Sequence, residues 1–419
     1  MLSWVQIVRF GLVQMALGAI VVLTTSTLNR LMVVELALPA LLPGFLVALH
    51  YGVQISRPGW GYRSDVAGNR TVWIVGGMAA LAAGAFLAAL AIVVLAASFA
   101  AGFALSVLAY ALIGLGVGAS GTSLLALLAT ATAPSRRAAA ATITWLMMIL
   151  GIALTAGLIG QLLDPYTPAR LLKITGALGL VAVALTALAI GRIERGVPPV
   201  PATPAAPLLH GLAEIWAEPR ARAFTLFVFL SMTAYFMQEL ILEPFAGLVY
   251  GFTPGQSTSL SGAQNGGVFL GMVCVGLMCT GLRIGALRHW VIAGCLGSAL
   301  ALAAIALRAP LTPATVALGF FNGMFAVAAI GAMMALAGEG RAAREGTRMG
   351  LWGAAQAVAA GFGGLTGAAL VDLGRTALPD AQAFGAVFLF EAALFLAAAM
   401  MARRTVPAPS HAPMLTPGE

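Results

Sequence analysis

Long apolar runs separated by short polar stretches recur along the whole chain. A bilayer core about 30 Å thick takes roughly 20 residues of helix. In lipid each backbone N–H and C=O must be paired within its own segment. Runs of this length therefore predict membrane helices, since barrel strands would be short and alternating. Twelve spans follow, near residues 9–33, 37–56, 72–96, 101–131, 139–163, 171–192, 223–250, 257–281, 287–308, 312–337, 347–371 and 382–402. The predicted fold class is an all-α integral membrane protein.

The longest connection, 193–222, carries Pro198, Pro199, Pro201, Pro204 and Pro207 and reads as an extended linker. It separates a six-helix half, 1–192, from a second six-helix half, 223–403, with a disordered tail expected over 404–419. An internal echo joins the halves. Asn29-Arg30, Glu35 and Pro39 in the first have a counterpart in Gln238-Glu239 and Glu243-Pro244 in the second. Glycines gather in several spans, among them Gly114, Gly116, Gly118 and Gly121, and read as packing positions that let backbones approach in lipid.

Composition agrees with the pattern: 61% of residues are hydrophobic and 9% charged, with a mean hydropathy of +0.98. A net charge of +8 invites a nucleic-acid reading. Placement rejects it, because 17 of the 22 Lys and Arg residues fall in one alternate set of loops and tails. That asymmetry predicts cytoplasmic termini and contact with anionic lipid. Cys274, Cys279 and Cys295 lie in or near spans without metal or disulfide spacing. No protein-bound metal is expected. The first apolar run is too long for a cleaved signal and reads as the first membrane helix. Lys173 is the chain's only lysine, no phosphate-loop motif occurs, and the acidic residues are isolated, so catalysis is not expected.

The loop after the second span has the pattern Gly-x-x-x-Asp-x-x-Gly-x-Arg at Gly61, Asp65, Gly68 and Arg70. It resembles the signature of the major facilitator superfamily, although Val66 and Asn69 stand where basic residues are usual. That departure weakens the implied latch between access states. The resemblance implies two pseudo-symmetric six-helix halves with a site at their interface. Phe10-Gly11-Leu12-Val13-Gln14, the run from Val22 to Arg30, Glu35-Leu36-Ala37-Leu38-Pro39 and Ala48-Leu49-His50-Tyr51 resemble the PucC/LhaA group. So do Pro134-Ser135-Arg136-Arg137 and the run from Gly346 to Gly353.

What that second resemblance implies is a protein of the intracytoplasmic photosynthetic membrane. It would bind or deliver bacteriochlorophyll, or a late precursor, to light-harvesting or reaction-centre polypeptides during assembly. Two alternatives stay open: a proton-coupled secondary transporter of a small lipophilic solute, and a non-transporting scaffold for antenna helices.

Ionisable residues inside apolar spans are costly and mark functional sites. The predicted intramembrane cluster is Asn29, Arg30, Glu35, Gln238, Glu239 and Glu243. In facilitator folds the first and seventh helices adjoin, which implies that Arg30 pairs with Glu239 or Glu243. Glu35 is five residues from Arg30, about 140° around an α-helix, and is expected to serve another partner. The pair reads either as a static tie between halves or as a proton-coupling site. His50, Gln54 and Arg57 form a polar stripe on the second span. His50 reads as a hydrogen-bonded packing residue or as a candidate axial ligand of a pigment magnesium.

Overall fold

The computed structural model describes residues 2–57, 60, 69–132, 136–191, 193, 216–282, 284–338 and 345–406. The described residues form α1 (Trp4–Glu35), α2 (Leu41–Ser56), α3 (Arg70–Ala97), α4 (Phe99–Ala131), α5 (Arg137–Leu163) and α6 (Pro168–Ile190). They continue as α7 (Pro219–Tyr250), α8 (Pro254–Gly276), α9 (Leu287–Ala306), α10 (Leu311–Gly338), α11 (Glu345–Arg375) and α12 (Asp380–Thr405). Eleven of these are long and apolar enough to cross a membrane, and α2 is a shorter apolar helix. The expected helical membrane architecture is therefore present.

Local chemistry explains several boundaries. Ser3 and Gln6 form a capping box at the start of α1, and Thr253 and Gln256 form another at α8. Each box satisfies two helix-start donors reciprocally. Pro168, Pro219 and Pro254 stand at first helical positions, where a missing N–H costs nothing. For that reason α7 begins at Pro219, four residues before the expected 223. Arg404 and Thr405 likewise extend the last helix into the expected tail, whose residues 407–419 lie outside the described ones. The echo between halves breaks at its proline. α1 stops at Glu35, before Pro39, whereas Pro244 sits within a continuous α7.

The buried side chains form two large clusters. One holds residues 2–193 plus Leu240, and the other holds residues 224–406 plus Ile149. Within each, the first or third helix of the half caps the last. Arg9 at the start of α1 donates to the carbonyls of Leu188, Ala189 and Gly191 at the end of α6, at 3.2, 2.8 and 3.1 Å. Arg288 at the start of α9 donates to Val406 O at the end of α12, at 2.8 Å. Cations at helix C-termini satisfy orphan carbonyls and oppose the helix dipole. Close backbone approach holds α3 to α4: a Cβ at Gly77 would collide with the Ser120 backbone, and one at Gly116 with the Leu81 backbone. The halves meet along α5–α8, α2–α11 and α1–α7.

Candidate functional site

Two π-helical turns, Leu23–Thr27 and Leu31–Glu35, flank Leu28–Arg30 in α1. A π turn closes bonds from residue i to i+5 and is common at functional sites; here Leu36 N–H donates to Leu31 O at 3.1 Å. Residues five apart therefore stack on one face. Arg30 Nη1 reaches Glu35 Oε1 at 2.5 Å, and Arg30 Nη2 donates to Phe252 O at 2.6 Å. This corrects both expectations for Arg30. Glu35 is its partner, because the wider turn cancels the angular offset of an α-helix. Glu239 and Glu243 are not its hydrogen-bond partners: its two Nη atoms go to Glu35 and to the carbonyl of Phe252, just past α7.

The two α7 carboxylates bond to hydroxyls instead. Glu239 accepts from Thr25 Oγ1 at 3.2 Å, and Glu243 accepts from Ser261 Oγ at 2.5 Å. Asn29 Nδ2 donates to Leu240 O at 2.5 Å, and Thr27 meets Thr258 at 3.1 Å. Gln238 Oε1 and Glu243 Oε2 are buried without a hydrogen-bond partner. The structure thus brings the expected cluster to the seam between halves, with Glu35 at its outer edge, where 38% of its side chain is exposed.

Beyond this seam, two aspartates that the sequence reading missed tie the halves reciprocally. Asp164, just past α5, accepts from Gly255 N–H at 3.0 Å and from the Thr253 hydroxyl at 2.5 Å at the start of α8. Asp372 in α11 accepts from Ala40 N–H at 2.9 Å and Leu41 N–H at 2.7 Å at the start of α2. Carboxylates are favoured at helix N-termini, where orphan N–H groups and the positive dipole end converge. The available signal was Asp164 beside a helix end and Thr253-Pro254 opening another. Nothing local joined the two.

On the other side of the seam lies a cavity of about 370 Å³. Its wall draws on α1, α2, α4 and α5 from the first half and α7, α8, α10 and α11 from the second. Trp145, Met148, Tyr51, Tyr235 and Phe236 give it an aromatic and apolar surface, with Gln14, Gln264, Asn265 and Gln356 among the polar groups. It extends toward the end where Arg57 follows α2 and Gly353 lies in the first turns of α11.

His50, Gln54 and Arg57 line this cavity as a chain of hydrogen bonds. Arg57 donates to Gln54 Oε1, and the Gln54 amide nitrogen lies 2.9 Å from His50 Nε2. Guanidinium only donates, so it fixes the amide orientation and turns the NH2 toward His50. Inferred from that network, His50 Nε2 accepts and the ring proton sits on Nδ1, which has no acceptor. His50 is 2% exposed and packs edge-on against Tyr51, which in turn meets Phe236 across the halves. The Nε2 lone pair is thus engaged, and giving it to magnesium would break the bond from Gln54. Among the described residues no group of three or more His, Cys, Asp or Glu side chains converges as a metal site.

Of the signature loop, Gly61, Asp65 and Gly68 lie outside the described residues. Arg70 opens α3 and donates to Ala126 O of α4 at 3.4 Å.

Comparison with known proteins places this architecture. The chain matches solved transporters at identities that show fold alone. One is a bacterial homologue of the human lysosomal transporter Spinster, inward-facing and occupied (TM-score 0.71, 15% identity, 96% of this chain and 98% of that one). Another is the nucleoside transporter NupG (TM-score 0.71, 14% identity, 96% and 99%). The fold is that of the major facilitator transporters. By sequence, the chain is 66% identical over 413 residues to the "Bacteriochlorophyll synthase 44.5 kDa chain" of Rhodobacter capsulatus, covering 97% of this chain and 96% of the relative. It is 29% identical over 432 residues to "Protein PucC" of Cereibacter sphaeroides, covering 93% and 90%. With residues 27–409 also matching the family model described as PUCC protein, the chain belongs to that family.

Proposed function

We propose that this protein binds bacteriochlorophyll, or a late precursor, and delivers it to light-harvesting or reaction-centre polypeptides during their assembly in a phototrophic bacterium. It would do so in the cytoplasmic or intracytoplasmic membrane, with both termini in the cytoplasm. The observation that carries this is the cavity between the halves, walled by aromatic and aliphatic side chains with a few amides. Such a wall suits a large flat apolar ligand held by a few directional contacts. The 66%-identical relative bears bacteriochlorophyll in its name. Carriage, not synthesis, is the chemistry these groups support. Among the described residues the wall holds one carboxylate, Glu239, and it is bonded to Thr25 on another helix. No second acid among the described residues lines the cavity to share general acid–base work with it.

The test is an absorption spectrum of the protein purified in mild detergent from phototrophically grown cells. A near-infrared pigment band at fixed stoichiometry, lost when Tyr51 and Phe236 are replaced by alanine, is the expected result. An empty protein that also fails to take up added pigment would overturn it.

A second reading, a proton-coupled transporter of a small lipophilic solute, draws support from Glu239 in the cavity wall. It requires substrate-dependent proton uptake in proteoliposomes, abolished in Glu239→Gln.

A further inference from the structure

Among the described residues Arg57 is the only Lys or Arg in the cavity wall, and no carboxylate pairs with it. Its guanidinium donates to the Gln54 side chain, one acceptor for a group with five N–H donors. Arg57 lines the cavity and is at the same time exposed, so its charged head sits where the cavity opens. Glu239, the carboxylate among the described lining residues, is bonded to Thr25 and not to Arg57. The Gln54–His50 bond holds the Arg57-facing amide in one orientation. The result is a cation with spare donors in a pocket also lined by Tyr51, Trp145, Met148 and Phe236.

That polarity selects among pigments. A tetrapyrrole bears a propionate side chain, which is a free carboxylate before esterification and a neutral ester after it. A carboxylate meets a guanidinium through paired, charge-assisted hydrogen bonds. An ester offers only neutral acceptors and forgoes that charge-assisted pair. The ester's long alcohol would also have to leave a cavity of about 370 Å³, near the lower end of drug-sized sites.

We propose that Arg57 anchors a ligand carboxylate, and that the cavity takes the free-acid form of the tetrapyrrole in preference to its ester. This rests on the pigment reading above and names which form of the pigment the site recognises. Esterification, in which a carboxylate oxygen displaces the leaving group of an activated long-chain alcohol on a separate alkyl-transfer enzyme, then falls after capture or at hand-off.

The experiment titrates the full-length protein in detergent with bacteriochlorophyllide and with its methyl ester, followed by tryptophan quenching and pigment absorption. The two probes share one macrocycle and differ only in the carboxylate. Free acid binding about tenfold or more tighter than ester is expected, the worth of one charge-assisted contact. Arg57→Gln should lower free-acid affinity to that of the ester, while Arg57→Lys keeps part of the preference. Equal affinity, or a preference for the ester, in the unmodified protein overturns the inference and leaves pigment binding standing. Binding of neither probe overturns both. The comparison in the unmodified protein stands even if a variant fails to fold.

Discussion

Arg30 and Glu35 meet at 2.5 Å across one π turn of α1, within a helix whose α-helical spacing would have turned them apart. Arg30 is 2% exposed and Glu35 is partly open, so the two partners are not equivalent. Removing the acid strands a buried guanidinium, whereas removing the arginine leaves a carboxylate that water can reach. Breaking a buried pair by deleting one partner costs about 3–5 kcal/mol, less where water screens the site. Glu35→Ala is therefore expected to lower the unfolding temperature in detergent more than Arg30→Met. The reverse order in paired thermal scans would show that the arginine's bond to Phe252 O outweighs the ion pair.

Asp164 and Asp372 each cap the first turn of a helix in the other half. A carboxylate at a helix N-terminus contributes about 0.3–1 kcal/mol, and up to ~2 where partly buried. The double variant Asp164→Asn, Asp372→Asn should open the seam above Thr27, which is fully buried in the structure. A Thr27→Cys reporter, with the three native cysteines replaced, is expected to resist a membrane-impermeant thiol reagent in the parent. In the double variant it should react several-fold faster. Equal labelling in both backgrounds would remove the aspartates from any role in closing that end.

The Arg57–Gln54–His50 chain sets a tautomer. With histidine labelled at both nitrogens, His50 should show a protonated Nδ1 and an unprotonated Nε2. Gln54→Leu removes the bond that enforces this and should shift the population toward the other form. A spectrum with Nε2 protonated in the parent protein would require the Gln54 amide to be reversed, against its bond from Arg57.

Gly77 faces the Ser120 backbone where α3 and α4 touch. Added methyl groups there must push two helix backbones apart, and overpacking of this kind costs about 1–3 kcal/mol or more. Gly77→Val should sharply lower the yield of folded protein. Gly76→Val, one residue away where nothing lies within 4 Å of a Cβ, should be tolerated. Similar yields of monodisperse protein from the two variants on size-exclusion chromatography would contradict the packing account.

The membrane class and the approximate positions of the spans were legible in the sequence, because hydropathy over about 20 residues is imposed by the bilayer and needs no partner. So was the presence of a polar cluster around Arg30 and Glu239, since ionisable groups in apolar runs stand out against their surroundings. What each of those groups bonds to was decided by tertiary structure. The Arg30–Glu35 pair depends on helix pitch, and a π turn leaves no plain mark in a run such as Leu31-Met32-Val33-Val34-Glu35. The bonds from Asp164 to Gly255 and from Asp372 to Ala40 join residues 91 and 332 positions apart. They exist only because the two halves close against each other. The cavity is the same kind of fact: eight helices build its wall, and no local pattern along any one of them specifies the space they leave between them.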